Sequence, residues 1–218
     1  MDVIHSWCYN GGTAGSRPTA GVLSKTTSFL KFYLSLPLKN LDMQFYNDQI
    51  FHIYNQGNNR LNIFFTEDNY LYFLKKVRIF ILPHADILAY CLIPNHFHIL
   101  IYVHTLEIKM PNDKIRSLNK SIGIMLMSYT IAINKQEQRS GSLFRQNSKI
   151  EDGWIDNVIT MNGKNKKFLF SADNSYGRVC FDYIHNNPVK AGLVNKQVDW
   201  MFSSAKDNAG LRKGTLCN

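Results

Sequence analysis

Cysteine is scarce in this chain and its spacing is uninformative. The four that occur, Cys8, Cys91, Cys180 and Cys217, form no CxxC pair and no metal-ligand spacing, which excludes a zinc ribbon or a thioredoxin-type redox motif written in local sequence. Long apolar runs are lacking as well. The longest, FLKFYLSLPL, is interrupted by Lys31 and Pro37 and is too short to cross a bilayer. No basic start precedes it, since Asp2 and His5 stand where a signal peptide carries lysine or arginine. No GxxxxGK[ST] loop occurs, which excludes a Walker-type nucleotide site. These absences predict a cytoplasmic protein with no membrane partner, and nucleoid-associated if its partner is DNA. Negative charge is also in short supply, with 16 Asp and Glu against 25 Lys and Arg.

What is there is positive charge, and it is concentrated. Net charge is +9, so an anionic partner is expected. Between Lys109 and Lys149 eight basic residues face only two acidic ones, Asp113 and Glu137. Nucleic acid fits this better than a membrane surface, because no apolar segment accompanies the charge.

Residues 1–42 contain WCYNGGTAGSRPTAG, without helical or strand periodicity, and read as a poorly structured leader or a mis-assigned start ahead of Met43. A folded domain is expected over 43–207 and a tail over 208–218. Within the domain, Ile50–Asn55 reads as a strand that ends in a turn at Gly57-Asn58-Asn59. TEDNYLYFLKKVRIF reads as a helix capped by Thr66, with Glu67 and Asp68 favouring its dipole. Ile87–Ile93 and His96–Val103 read as a hairpin turned at Pro94-Asn95. Asp113–Lys135 reads as a second helix with Ile115, Leu118, Ile122, Met125, Tyr129 and Ala132 on one stripe. Residues 150–175 suggest an inserted hairpin turned at Asn162-Gly163, and Tyr176–Asn187 a third helix stopped by Pro188. The order β-α-β-β-α predicts an α+β, ferredoxin-like antiparallel sheet with helices packed mainly on one face.

One strand carries a chemical pattern. In HFHILIYV, His96, His98, Leu100 and Tyr102 share a face, opposite the uniformly apolar Phe97, Ile99, Ile101 and Val103. Helices are expected on the apolar face, leaving the histidine face the more open. Two neutral imidazoles on one face are ligands for a divalent ion, although alone they are an even match for accident. Tyr183 and Asn187 add to them, because four residues apart they share a helix face. A tyrosine hydroxyl becomes a useful nucleophile when a phosphate is held beside it and a cation offsets the developing charge.

The strings AYCLIPNHFHILIYV and YIHNNPVKAGLV, with SGSLF between them, resemble the REP-associated tyrosine transposases of the single-tyrosine HUH superfamily. His96-Phe97-His98 matches the His-hydrophobic-His motif, and the likeness extends from about Met43 to Asp207. The resemblance implies a metal-dependent single-stranded DNA endonuclease and strand transferase acting at DNA hairpins, as monomer or homodimer. His96, His98 and Asn187 would hold Mg²⁺ or Mn²⁺, and Tyr183 would form a 5′-phosphotyrosine. Arg116, Lys120, Arg139, Arg145, Lys149 and Lys190 are the expected DNA contacts, with Phe144 available for base stacking. The run RQNSK after SGSLF departs from the family, which usually has a further basic residue near Arg145.

Rivals are few. Tyr129 precedes an asparagine, Asn134, but lies on the apolar stripe, where tyrosine is usually core. His52, His84, His104 and His185 are other ligand candidates. Of these, His104 is expected to be too far along its strand, and His185 to face the surface or DNA. A zinc hydrolase built on His96 and His98 lacks an acidic third ligand nearby. The alternative in a different class is a catalytically inactive or domesticated DNA-hairpin-binding protein.

Overall fold

The computed structural model describes residues 45–145 and 175–217, with backbone only at 175 and 176. The leader, the 146–174 stretch with Lys149, and most of the expected insertion lie outside the described residues. The described part is a mixed α/β domain built on antiparallel pairing. Its strands and helices are β1 (Ile50–Gln56), α1 (Glu67–Phe80), β2 (Ala85–Ile93), β3 (His96–Val103), β4 (Glu107–Lys109), β5 (Ile115–Ser117), α2 (Leu118–Gln136), α3 (Ser175–Lys190) and α4 (Ala205–Asn208).

β3 lies between β1 and β2, antiparallel to both. Cross-strand partners share a face, so β1 sets His52, Tyr54 and Gln56 beside Leu100, His98 and His96. β2 places Ala89, Cys91 and Ile93 opposite the same three residues. A bulge between Ile87 and Ala89 inserts one residue and reverses the parity of β2. Ala85 and Ile87 therefore join one core with Tyr90 and Leu92, while Ala89, Cys91 and Ile93 face the other side. Both faces of β2 are buried, which is why ADILAYCLI shows little alternation.

The apolar face of β3 is covered by α1 and α2. Phe97, Ile99, Ile101 and Val103 are fully buried, packed with Phe73 and Val77 of α1 and Met125 and Tyr129 of α2. Burying a side chain such as Phe73 is worth roughly 2–3 kcal/mol. α1 begins at its expected cap, Thr66. Asn69 Oδ1 accepts from the backbone N–H groups of Phe65 (3.0 Å) and Thr66 (3.2 Å), so two end donors are satisfied.

Three expectations need correction. The second helix begins at Leu118, with Ser117 Oγ accepting from Lys120 N, and not at Asp113. Asp113 instead sits at φ 60° in the turn of the β4–β5 ribbon, and Ile115 is 63% exposed. A three-residue strand ahead of a helix happens to continue the helical apolar spacing; Leu118, Ile122, Met125, Tyr129 and Ile133 are the buried stripe. Pro188 does not stop the third helix, which runs on to Lys190. Two residues before the end, Pro188 removes one donor, and the helix closes in a Schellman motif: Leu193 N–H reaches Pro188 O (2.9 Å) and Gly192 N–H reaches Val189 O (3.0 Å), with Gly192 at φ +68°. Finally, helices cover both sheet faces. α3 lies on the face of Ala89, Cys91, Ile93 and Leu100, burying Cys180 and Ile184 there, so the histidine face is not open. The described sheet has three strands, and the free edge of β2 is taken by an irregular segment. Leu92 N–H donates to Phe202 O (2.9 Å), Ser204 N–H to Tyr90 O (3.0 Å) and the Trp200 indole to Leu92 O (2.7 Å).

The expected tail is folded onto the domain. Arg212 donates to Met201 O, Ser203 O and Tyr90 Oη and pairs with Asp207, while Leu216 is buried in the main core. No helix among the described residues is long and apolar enough to cross a membrane.

Candidate functional site

β3 brings the two histidines to the sheet face that α3 crosses, and α3 brings Tyr183 and Asn187 to them. The His98 and Tyr183 rings meet edge to face at 5.4 Å between centroids, and His96 and His98 are 5.0 Å apart in the same manner. Asn187 closes the group: its side chain is close enough to influence the protonation of both His96 and Tyr183. Its Nδ2 also donates to Tyr183 O at 3.0 Å, which leaves Oδ1 as the amide's acceptor. Lys190, two turns further along α3, puts Nζ 4.9 Å from the Tyr183 ring centroid.

Electrostatics keep these groups neutral. Burial lowers His98 well below the ordinary imidazole range, helped by its two histidine neighbours, and lowers His96 against an opposing hydrogen bond from Asn187. Neutral imidazole is the ligating form. Burial raises the Tyr183 phenol, with the Asn187 hydrogen bond pulling the other way. Tyr183 is therefore a phenol at neutral pH.

His96, His98 and Asn187 have the chemistry to hold a divalent cation. His98 Nε2 is buried and has no hydrogen-bond partner among the described residues. The Nδ1 atom of His96 lies 2.7 Å from Asn95 Oδ1, an acceptor, so Nδ1 carries the proton and Nε2 keeps its lone pair. An amide oxygen suits hard Mg²⁺ or Mn²⁺, whereas imidazoles alone would favour zinc. Among the described residues no group of three or more His, Cys, Asp and Glu side chains is arranged to hold a metal, so the set rests on two imidazoles and an amide.

The other sequence candidates divide. Tyr129 is fully buried in the main core, donating to Ile63 O at 2.8 Å. His185 is not a surface residue: it is 3% exposed, with Nε2 2.7 Å from Ser204 Oγ and its ring on Phe181. Helical rotation turns it from Tyr183 toward the segment that caps β2 rather than toward solvent. His84 is buried between Thr105 O and Ser121 Oγ, and His104 pairs with Asp86 at 2.9 Å. His52, by contrast, belongs to the site. Its Nε2 is 2.9 Å from His98 Nδ1, and its ring is 6.2 Å from that of Tyr183. Only the register of β1 against β3 reveals this contact, and no motif in the sequence carries that register.

Of the expected DNA contacts, Lys190 stands over Tyr183. Arg145 N–H donates to Gln56 O, placing Arg145 at the end of β1 that pairs with His96. Arg139 follows the C-terminus of α2, near the same end. Arg116 and Lys120 flank the other end of α2, where Leu118 N–H meets Leu106 O beyond β3, about 30 Å away along the helix. Arg116 lies over the Phe80 ring at 5.4 Å, and Lys120 is exposed. Phe144 is buried against Phe97 rather than available for stacking.

No family model and no curated protein matches the chain. Among solved structures, it is similar to one described as the REP-associated tyrosine transposase bound to a REP hairpin, at 18% identity and a TM-score of 0.47, covering 81% of this chain and 92% of that one.

Proposed function

We propose that the chain is a metal-dependent single-stranded DNA endonuclease and strand transferase that acts at DNA hairpins through a 5′-phosphotyrosine intermediate. The observation that carries this reading is the meeting of Tyr183 and Asn187 with the His96–His98 pair. The sequence resemblance links the same four residues. In the step, the Tyr183 phenolic oxygen attacks a backbone phosphorus and the P–O3′ bond breaks. The phosphate becomes joined to tyrosine, and the phenol's proton ends on the freed 3′-oxygen. Because the ester energy is retained in the covalent link, a 3′-hydroxyl can reverse the step without a nucleotide cofactor. A bound Mg²⁺ or Mn²⁺ would offset the negative charge of the phosphate oxygens. His96, His98 and Asn187 would hold it, while Lys190, Arg139 and Arg145 meet the DNA backbone close by.

The test is incubation with single-stranded hairpin DNA and Mg²⁺ or Mn²⁺, followed by denaturing gel analysis. A covalent protein–DNA adduct is expected with the parent and none with Tyr183→Phe. An adduct that persists in a folded Tyr183→Phe, or that forms in excess chelator, would refute the reading. Tight, metal-independent hairpin binding without adduct would make the chain a non-catalytic hairpin binder.

A further inference from the structure

His52 is not one of the four residues His96, His98, Tyr183 and Asn187, yet its imidazole is in direct hydrogen-bond contact with one of the proposed ligands. It stands on β1 at the position paired with Leu100, two residues from the partner of His98. The two rings stack with centroids 5.0 Å apart, and His52 Nε2 lies 2.9 Å from His98 Nδ1. The Tyr54 ring also packs beside both, stacked on His98 with centroids 5.8 Å apart and tilted against His52 at 5.3 Å. The remaining ring nitrogens, His52 Nδ1 and His98 Nε2, are both buried without a hydrogen-bond partner among the described residues.

A hydrogen bond between two neutral imidazoles uses one N–H and one lone pair, and two arrangements satisfy it. If His52 donates, His98 is left with an N–H at Nε2, and that atom cannot accept a cation. If His98 donates from Nδ1, its Nε2 keeps a lone pair aimed away from β1, and the spare N–H falls on His52 Nδ1. Only the second arrangement makes His98 a ligand, and it requires an acceptor where His52 Nε2 stands. A metal-binding histidine ordinarily has its other nitrogen fixed in this way by a carboxylate or carbonyl, and here neither is in contact with His98 Nδ1.

We infer that His52 is a positioning residue, accepting the Nδ1 proton of His98 and so holding its Nε2 as a cation ligand. This rests on the proposed metal-dependent reading of the site. It assigns His52 no contact with substrate and no bond to the cation.

The experiment compares Mn²⁺ affinity, by titration calorimetry without DNA, in the parent, His52→Leu and His52→Gln chains, with thermal unfolding run alongside. Leucine fills the space but offers no acceptor, whereas the glutamine amide oxygen reaches the position of Nε2. His52→Leu is expected to weaken Mn²⁺ binding about ten- to a hundredfold, and His52→Gln to recover most of that loss. A merely structural role would lower the unfolding temperature in both variants without separating their affinities. A second reading uses the unmutated chain. In the Mg²⁺-saturated state, long-range ¹H–¹⁵N spectra of the imidazoles are expected to show the His98 proton on Nδ1. Parent-like affinity in folded His52→Leu, or a His98 proton on Nε2, would overturn the inference and leave the metal site standing. A parent that takes up no Mn²⁺ would instead remove the metal reading itself, and this inference with it.

Discussion

The sharpest check of the fold concerns His185, which the sequence suggests as a surface or DNA-contacting residue and the structure buries. Its ring lies between Phe181 and the Ser204 hydroxyl, and burial lowers its pKa from 6.5 to about 4 although Asp182 and Asp207 oppose the shift. A base held below its unfolded pKa binds fewer protons when folded. Its contribution to stability is therefore complete above pH 6.5 and is lost as pH falls toward 4. The full difference corresponds to roughly 3 kcal/mol, of which about 2 kcal/mol is gone by pH 5. The polar neighbours Ser204, Asn208 and Asp207 can reorient toward a charged ring, which reduces the loss at pH 5 to about 1–2 kcal/mol. His52, also lowered to about 4, adds its own loss, so the parent alone does not isolate His185. The comparison is with His185→Gln, which retains a partner for Ser204 but does not titrate. Urea unfolding of both chains at pH 7.5 and pH 5.0 should show the parent losing about 1–2 kcal/mol more than the variant. Identical losses in the two chains would refute the burial argument. If the variant's main defect were salt-dependent DNA affinity, His185 would be the surface contact that the sequence suggests.

Two further substitutions test the core and the turn beside the site. Tyr129→Phe should leave hairpin-DNA adduct yield unchanged but cost about 1–3 kcal/mol in denaturant unfolding, because Ile63 O loses the buried hydroxyl that donates to it at 2.8 Å. Loss of the adduct in a folded Tyr129→Phe would restore this tyrosine as the nucleophile. Gly57→Ala should be worse than its size suggests, at about 2–4 kcal/mol. A Cβ there would stand 2.0 Å from Leu61 O, and the Gly57 N–H is tied to Asn95 O beside His96. An alanine variant with parental unfolding temperature would show that this turn is loosely held.

Local chemistry made part of this legible. Thr66, Glu67 and Asp68 mark the start of α1 because end donors need acceptors and the helix dipole favours carboxylates there. The parity of HFHILIYV assigns Phe97, Ile99, Ile101 and Val103 to a helix-covered core, where all four are fully buried. The features that sequence reading mistook depend on partners distant in the chain. Ile115 continues a helical period while paired in a ribbon with Lys109. Pro188 reads as a stop, but so near a C-terminus it deletes only one bond, and the Gly192 turn supplies the termination. The Arg212 cluster that folds the C-terminal segment back onto Tyr90 spans more than a hundred residues and has no periodicity to detect.

The site divides along the same line. Spacing alone places His96 with His98 and Tyr183 with Asn187, since each pair lies within one element. Bringing the pairs together requires α3 to cross the histidine face, and the apolar pattern of β2 is where that requirement is recorded. ADILAYCLI has too many buried side chains for a sheet covered on one face, and its bulge turns Ala89, Cys91 and Ile93 toward a second layer. Something must cover those residues, and α3 does so with Cys180 and Ile184. From that seat, Tyr183 is one residue before Ile184 and Asn187 three after it, both at the rim of the covered patch and beside His98 and His96. The same burial that anchors the helix thus fixes the distance from phenol to imidazole. A loop carrying the tyrosine would have left that distance free, whereas a packed helix fixes it, as the in-line attack proposed for Tyr183 requires.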